Sequence, residues 1–194
     1  MELLIRTKKD LDAIKKDQIA EEAKYKFKIL MCAGAGCVSS NCFAVKQALE
    51  NSLKVEWLDD KVKVVETGCV GTCNVGPTAI VLPEGVFYCK LKPQDMVRIV
   101  QEHLMKGKIV EDLCYFDSLS NKVQPYLKDI EFFKAQTKIV LRNCGKIGYA
   151  DLAEYVANDG YYSLEKVLTG MSREAVVAEM KKSGLRGRGG GGFP

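Results

Sequence analysis

Two close pairs of cysteines constrain this chain more than any other feature of its sequence. The pairs are CAGAGC at 32–37 and CVGTC at 69–73, and both lie in glycine-rich loops. Four thiolates with this spacing converge on one centre if each pair follows a strand at the same edge of a sheet. The glycines let such loops wrap closely around a bound group. The pattern therefore predicts an iron–sulfur cluster, and its predicted ligands are Cys32, Cys37, Cys69 and Cys73.

Three other interpretations of the two pairs stay open. A thioredoxin-like dithiol requires Cys-x2-Cys, and neither pair has that spacing. Four cysteines also close a tetrahedral zinc site, which would make the chain a zinc-stabilised module that docks partner subunits. Unligated cysteines that only pack in a core are the third interpretation.

The remaining four cysteines carry weaker signals. Cys42, Cys89 and Cys114 are interpreted as packing residues, because cysteine is among the residue types most often buried. Cys42 is also the first candidate to replace a misassigned ligand. Cys144, in LRNCGKIG, is too far in sequence from a second thiol to indicate a site.

Composition excludes several classes of protein. The chain has 194 residues, of which 47% are hydrophobic and 28% charged, and its net charge of +4 is spread among acidic and basic residues. We therefore expect no nucleic-acid partner. The sequence contains neither an apolar run long enough for a membrane span nor a signal-peptide pattern, so we expect a cytoplasmic protein. Its eight cysteines should stay reduced there rather than form disulfides.

Hydrophobic periodicity predicts an α/β fold over residues 1–107. Strands are predicted at 27–32, 62–66, 79–83 and 86–89, and helices at 8–24, 40–53 and 95–107. The periodicity weakens over 108–136, which predicts a linker or extension. Residues 137–194 are predicted to be mostly helical, with Ser172 as the N-cap of a last helix that ends before Gly184. The lone histidine, His103, is predicted to lie on the surface of its helix.

The first hundred or so residues resemble the thioredoxin-like 2Fe-2S ferredoxin domain. That family uses Cys-x4-Cys and Cys-x3-Cys ligand pairs, and GCVGTCNVGPTAIV at 68–81 resembles the second half of its motif. The resemblance implies a 2Fe-2S cluster on the four cysteines named above.

From about Lys138 onward, the chain resembles the start of the flavin-carrying subunits of complex I, NAD-linked formate dehydrogenases and bifurcating hydrogenases. The resemblance rests on LRNCGKI, AEYVANDGYYSLEKVL and SGLRGRGGGGFP. It implies that the glycine-rich loop contacts FMN and that Phe193 lies near a nicotinamide. The implied flavin contacts are Gly187, Arg188, Gly189 and Gly190. A flexible terminus is the alternative for this loop considered alone, and Gly191 stands where the family usually has Ala.

The resemblance also implies what the chain lacks. The family continues with Thr-Gly, a Lys-Trp pair, the rest of the FMN and NAD(P) site, and cysteines for a 4Fe-4S cluster, whereas this sequence stops at Pro194. We therefore expect a fragment or partial gene product without a catalytic residue of its own. Fusion of the two parts resembles the β subunit of NAD-dependent iron-only hydrogenases. The expected role is electron transfer with the other subunits of a multi-subunit oxidoreductase, including iron–sulfur subunits.

Overall fold

The computed structural model describes residues 5–193, so the predicted bounds at 1 and 194 lie outside it. A four-stranded sheet forms its centre, in the order β2-β1-β3-β4. Strand β1 is parallel to β2 and antiparallel to β3, and β3 is antiparallel to β4. The strands are β1 (Phe27–Cys32), β2 (Val62–Thr67), β3 (Ala79–Leu82) and β4 (Val86–Tyr88).

The central strand is buried on both faces, which explains why FKILMC is almost continuously apolar. Because successive side chains point to opposite faces, Ile29 and Met31 pack in one hydrophobic cluster and Leu30 packs in another. The first cluster also contains Val45 and Leu49 of the following helix. The sheet therefore separates two cores. Both predicted cysteine loops follow the C-terminal ends of β1 and β2.

Helices cover the first face of the sheet. Val45, Leu49 and Leu53 of α3 are spaced four residues apart and form one buried stripe. The helix that begins at Asp95 changes to π-helical hydrogen bonding at Ile99–Leu104. The helices on this face are α2 (Ala35–Ser39), α3 (Cys42–Val55) and α4 (Asp95–Arg98). Helix α1 (Lys8–Glu22) contributes no residue to the first cluster, and its Glu22 pairs with Lys28 of β1.

Residues 108–136 cover part of the second face. Ile130 is buried there with Phe87, and Phe133 stacks edge-on against the Phe87 ring at 5.7 Å between centroids. Backbone bridges join Tyr88 to Cys114 and Val86 to Tyr126. The elements of this segment are a hairpin of β5 (Tyr115–Asp117) and β6 (Lys122–Gln124), followed by α5 (Glu131–Lys134).

The last part of the chain is helical, as predicted, with α6 (Leu152–Ala157), α7 (Tyr162–Gly170) and α8 (Arg173–Ser183). The Ser172 side chain accepts a hydrogen bond from the Ala175 N–H, and Gly184 ends α8 in the left-handed conformation, so both predicted caps are confirmed. Helix α6 packs against α1.

The predicted α/β class is thus confirmed, and each predicted strand is present within two residues of its expected bounds. The prediction for His103 is wrong, because its ring is buried against Phe27 and Tyr88. His103 lies three residues after Val100 and four after Ile99, so it falls on the same buried stripe of the helix. Within residues 5–193, no helix is both long and apolar enough to cross a membrane.

Candidate metal centre

Both cysteine loops leave the sheet at the same edge. Cys32 is the last residue of β1 and is paired with Thr67, the last residue of β2. Because β1 and β2 are parallel, the loop to Cys37 and the loop to Cys69 and Cys73 start side by side. Cys32 and Cys37 are buried, whereas Cys69 is half-buried and Cys73 is exposed. The two cysteine loops therefore lie side by side at this end of the sheet.

The two cysteine pairs differ in their surroundings. Cys69 Sγ and Cys73 Sγ are 3.8 Å apart, and Cys32 and Cys37 lie in one buried cluster with Cys42. Two thiolates on one tetrahedral metal at about 2.3 Å would be about 3.8 Å apart, so the second pair has the spacing for one metal ion. Within residues 5–193, no three His, Cys, Asp or Glu side chains gather closely enough to bind a single ion.

Glycines allow the two loops to touch. A Cβ added to Gly34 would lie 2.8 Å from Cys69 Cβ, and one added to Gly36 would lie 3.0 Å from Cys73 Cβ. On the far side, a Cβ on Gly76 would lie 2.9 Å from Cys37 Sγ. Each loop thus needs glycine where the cysteines of the other loop approach it, which fits a cluster enclosed by both loops.

Backbone hydrogen bonds fix the ends of the loops. The Gly71 N–H donates to Cys69 Sγ at 3.3 Å, and Gly71 has a φ of +98°, which favours glycine. The Cys32 N–H donates to Thr78 O, and the Ala33 N–H donates to Thr67 O. An N–H directed at a ligand sulfur stabilises negative charge on that sulfur.

Burial favours the protonated form of Cys37 and of Cys69. It raises the pKa of Cys37 to about 12, and the hydrogen bond with Cys32 adds to this shift. Burial also raises the pKa of Cys69, although the Gly71 N–H opposes the shift. Because metal ligands must be thiolates, metal binding at this site releases protons.

The other cysteines fall into two groups. Cys89 and Cys114 are buried as predicted, and burial raises the pKa of each to about 12. Cys42 is buried beside Cys32 and Cys37, and burial, followed by the charge on Cys32, raises its pKa. It therefore packs in the core and also lies next to the first pair of predicted ligands.

Two residues near the centre were not identified from the sequence. Thr67 is completely buried, and its hydroxyl bonds the backbone of the segment that contains Cys144. The Cys144 sulfur lies 3.0 Å from the position of a Cβ on Gly68, the neighbour of Cys69. No local pattern indicates this contact, because it joins residues far apart in the chain.

The glycine-rich loop follows α8 and forms no helix or strand. Its Gly187 N–H donates to Phe193 O at 2.7 Å, and the Phe193 ring is 78% exposed. Gly190 has a φ of +101°, and a Cβ at Gly189 or Gly190 would meet nothing within 4 Å. The backbone of Gly189 and Gly190 is therefore open, and the Arg188 side chain is exposed.

This chain is similar to one known family and to three individual proteins described below. Residues 17–104 match the family described as thioredoxin-like 2Fe-2S ferredoxin. A 2Fe-2S ferredoxin of Clostridium pasteurianum is 35% identical over 77 residues, which are 40% of this chain and 76% of the ferredoxin. The HndC polypeptide of the NADP-reducing hydrogenase of Solidesulfovibrio fructosivorans is 52% identical over 61 residues, 31% of this chain and 12% of that polypeptide. One subunit of the NADH-quinone oxidoreductase of Salmonella typhimurium is 48% identical over 42 residues, 22% of this chain and 9% of that polypeptide.

Proposed function

Because this chain belongs to the thioredoxin-like 2Fe-2S ferredoxin family, we propose that it carries single electrons on a 2Fe-2S cluster. Its proposed ligands are Cys32, Cys37, Cys69 and Cys73. The observation that carries the proposal is the meeting of the two loops at one sheet edge, with each cysteine of the second pair against a glycine of the first loop. When bound, such a cluster accepts or donates one electron at a time.

The chain's own residues supply the binding site and its electrostatics. Cys32 and Cys37 are the buried pair, and Cys69 and Cys73 are the pair nearer to solvent. Cys69 and Cys73 are spaced for one metal ion, and no third ligand side chain gathers with them within residues 5–193. This supports a binuclear cluster, in which each metal takes two protein thiolates, over a single zinc ion that requires all four. The exposed Cys73 side offers the shortest route for an electron to a partner.

We further propose that the chain acts within a multi-subunit NAD(P)-linked oxidoreductase, most closely of the hydrogenase type. The similarity to HndC and to the NADH-quinone oxidoreductase polypeptide supports this role. Gly187, Arg188, Gly189, Gly190 and Phe193 would then contribute to an FMN site. The complete oxidoreductase would also bind NAD(P) and a 4Fe-4S cluster, and its proposed location is the cytoplasm.

The test of the cluster is the visible and low-temperature EPR spectrum of anaerobically purified protein, with iron and acid-labile sulfide counted per chain. We expect about two irons and two sulfides, and an EPR signal from one unpaired electron after dithionite reduction. Cys32→Ser and Cys69→Ser should lose the cluster. Cys114→Ser should retain it, because Cys114 is buried on the β4 side of the sheet with its thiol directed to Val110 O.

Two outcomes would contradict the proposal. Full iron content in either Cys32→Ser or Cys69→Ser would show that the ligands are assigned incorrectly. A colourless protein with one zinc would instead support the alternative function, a zinc-stabilised module that docks partner subunits.

A further inference from the structure

A short segment from the C-terminal part of the chain lies against the second cysteine loop. We call residues 143–149 the turn segment. The Thr67 hydroxyl, at the end of β2, donates to Ile147 O at 2.7 Å and accepts from the Gly145 N–H at 3.0 Å. Thr67 and Gly148 also form an antiparallel backbone bridge. One buried hydroxyl therefore holds both sides of the turn segment.

The turn segment packs on both neighbours of Cys69. The Cys144 sulfur lies 3.0 Å from the position of a Cβ on Gly68, and a Cβ added to Gly145 would lie 2.8 Å from Val70 Cγ1. Val70 is itself buried. Because Gly145 has a φ of +80°, glycine is favoured there by conformation as well as by space. The turn segment thus encloses the Cys69 side of the loop.

Contacts beyond Thr67 fix the turn segment on the sheet. The Tyr149 N–H donates to Glu66 O at 3.1 Å, and the Gly148 N–H donates to the buried carboxylate of Glu154 at 2.7 Å. The same carboxylate accepts from Lys63 of β2 at 2.7 Å. The turn segment is therefore a fixed part of the environment of Cys69 rather than a passing contact.

We infer that the turn segment shields the Cys69 side of the cluster from water and thereby lowers the cluster's reduction potential, with Thr67 as its positioning residue. The inference rests on the proposed function. Reduction adds negative charge to the site, and water stabilises that charge better than an apolar wall does. The shell that controls solvent access to a metal site also sets its potential.

Thr67→Val tests this inference, because it keeps the side-chain shape but leaves Gly145 N–H and Ile147 O without their partner. We expect an upward shift of the midpoint potential in an EPR-monitored redox titration of the full chain. We also expect the chelator ferrozine to remove iron about tenfold faster, the effect of losing about one buried hydrogen bond. Thr67→Ser keeps the hydroxyl and should restore both values. Thr169→Val, on the exposed face of α7, is the matched control.

Cys144→Ala is an independent variant that leaves Thr67 intact. Removing the Cys144 sulfur that packs against Gly68 should raise the midpoint potential by less than Thr67→Val does, with full iron content. Loss of iron in Cys144→Ala would make Cys144 a ligand and overturn the shielding role. An unchanged or lower potential in Thr67→Val would also overturn it, while the cluster of the wild-type chain would still support the proposed function. If the wild-type chain lacked a cluster, the proposed function would fail, and this inference with it.

Discussion

The buried carboxylate of Glu154 gives a sharp test of how the C-terminal helices dock on the sheet. Its side chain is completely buried and lies 2.7 Å from Lys63 Nζ and 3.0 Å from Lys28 Nζ. It also accepts the Gly148 N–H at 2.7 Å. The substitution Glu154→Gln keeps the shape and one acceptor oxygen but removes the charge that pairs with both lysines.

The expected loss of stability in Glu154→Gln depends on which partners the two lysines keep. Removing one partner of a buried ion pair typically costs about 3–5 kcal/mol, because the other charge is left without compensation. Here the Glu22 carboxylate remains 2.7 Å from Lys28 Nζ and 3.9 Å from Lys63 Nζ. Since the two lysines keep this second partner, we expect the low end of the range, a loss of about 3 kcal/mol.

The pH dependence has a definite sign. Burial alone would raise the pKa of Glu154, but the hydrogen bonds from Lys63, Gly148 and Lys28 outweigh it, so the net pKa is lowered. A lowered folded-state pKa means that the stabilisation is present above the unfolded-state pKa of about 4.3 and is lost as pH falls through the folded value. The difference between wild type and Glu154→Gln should therefore be full at neutral pH and shrink in acid.

The assay is urea unfolding monitored by far-ultraviolet circular dichroism. Hydrogen exchange of the Gly148 amide detects local opening. Glu131→Gln is the matched control, because Glu131 pairs with Lys134 at 3.0 Å but its side chain is 78% exposed. A screened surface pair should contribute little. Equal losses in the two variants, or a loss below about 1 kcal/mol in Glu154→Gln, would refute the argument.

Two further predictions concern the histidine and the cysteine loops. Burial lowers the pKa of His103, whose Nδ1 is 3.0 Å from the Tyr88 hydroxyl, so stability should fall as pH drops below the unfolded-state value of about 6.5. Thermal midpoints across this range should show that fall in wild type and a flatter profile in His103→Gln. Gly34→Ala should reduce iron content per chain, because its Cβ would lie 2.8 Å from Cys69 Cβ. Gly170→Ala, whose Cβ would meet nothing within 4 Å, should leave iron content unchanged, and equal losses would contradict the loop contact.

The strands could be predicted because their signal is local. FKILMC is apolar in nearly every position, and it became the central strand, buried on both faces. The order of the strands in the sheet could not be read in the same way. It depends on pairing between β1 and β3, which are far apart in sequence, and no periodicity within either strand specifies its partner.

The candidate ligands could also be predicted from a local sequence pattern, whereas their surroundings could not. Cysteine spacing indicates which thiols share a loop, and glycine indicates where another group approaches closely. Only the fold shows that Gly34 faces Cys69 while Gly76 faces Cys37. His103 was misplaced for a different reason. Its spacing from Ile99 and Val100 puts it on the buried face of the helix, but its polar side chain and polar sequence neighbours favoured a surface position.

The contact between Thr67 and the turn segment bears on how the cluster is best studied. The family match ends at residue 104, yet both partners of the Thr67 hydroxyl, Gly145 N–H and Ile147 O, come from beyond it. In a piece cut at residue 107, that hydroxyl and the backbone of Gly68 would face water. Because solvent access alters the potential of an iron–sulfur cluster, a potential measured on such a piece would not be that of the full chain. The two parts of the sequence therefore share a hydrogen-bonded contact beside Cys69, although each resembles a separate family.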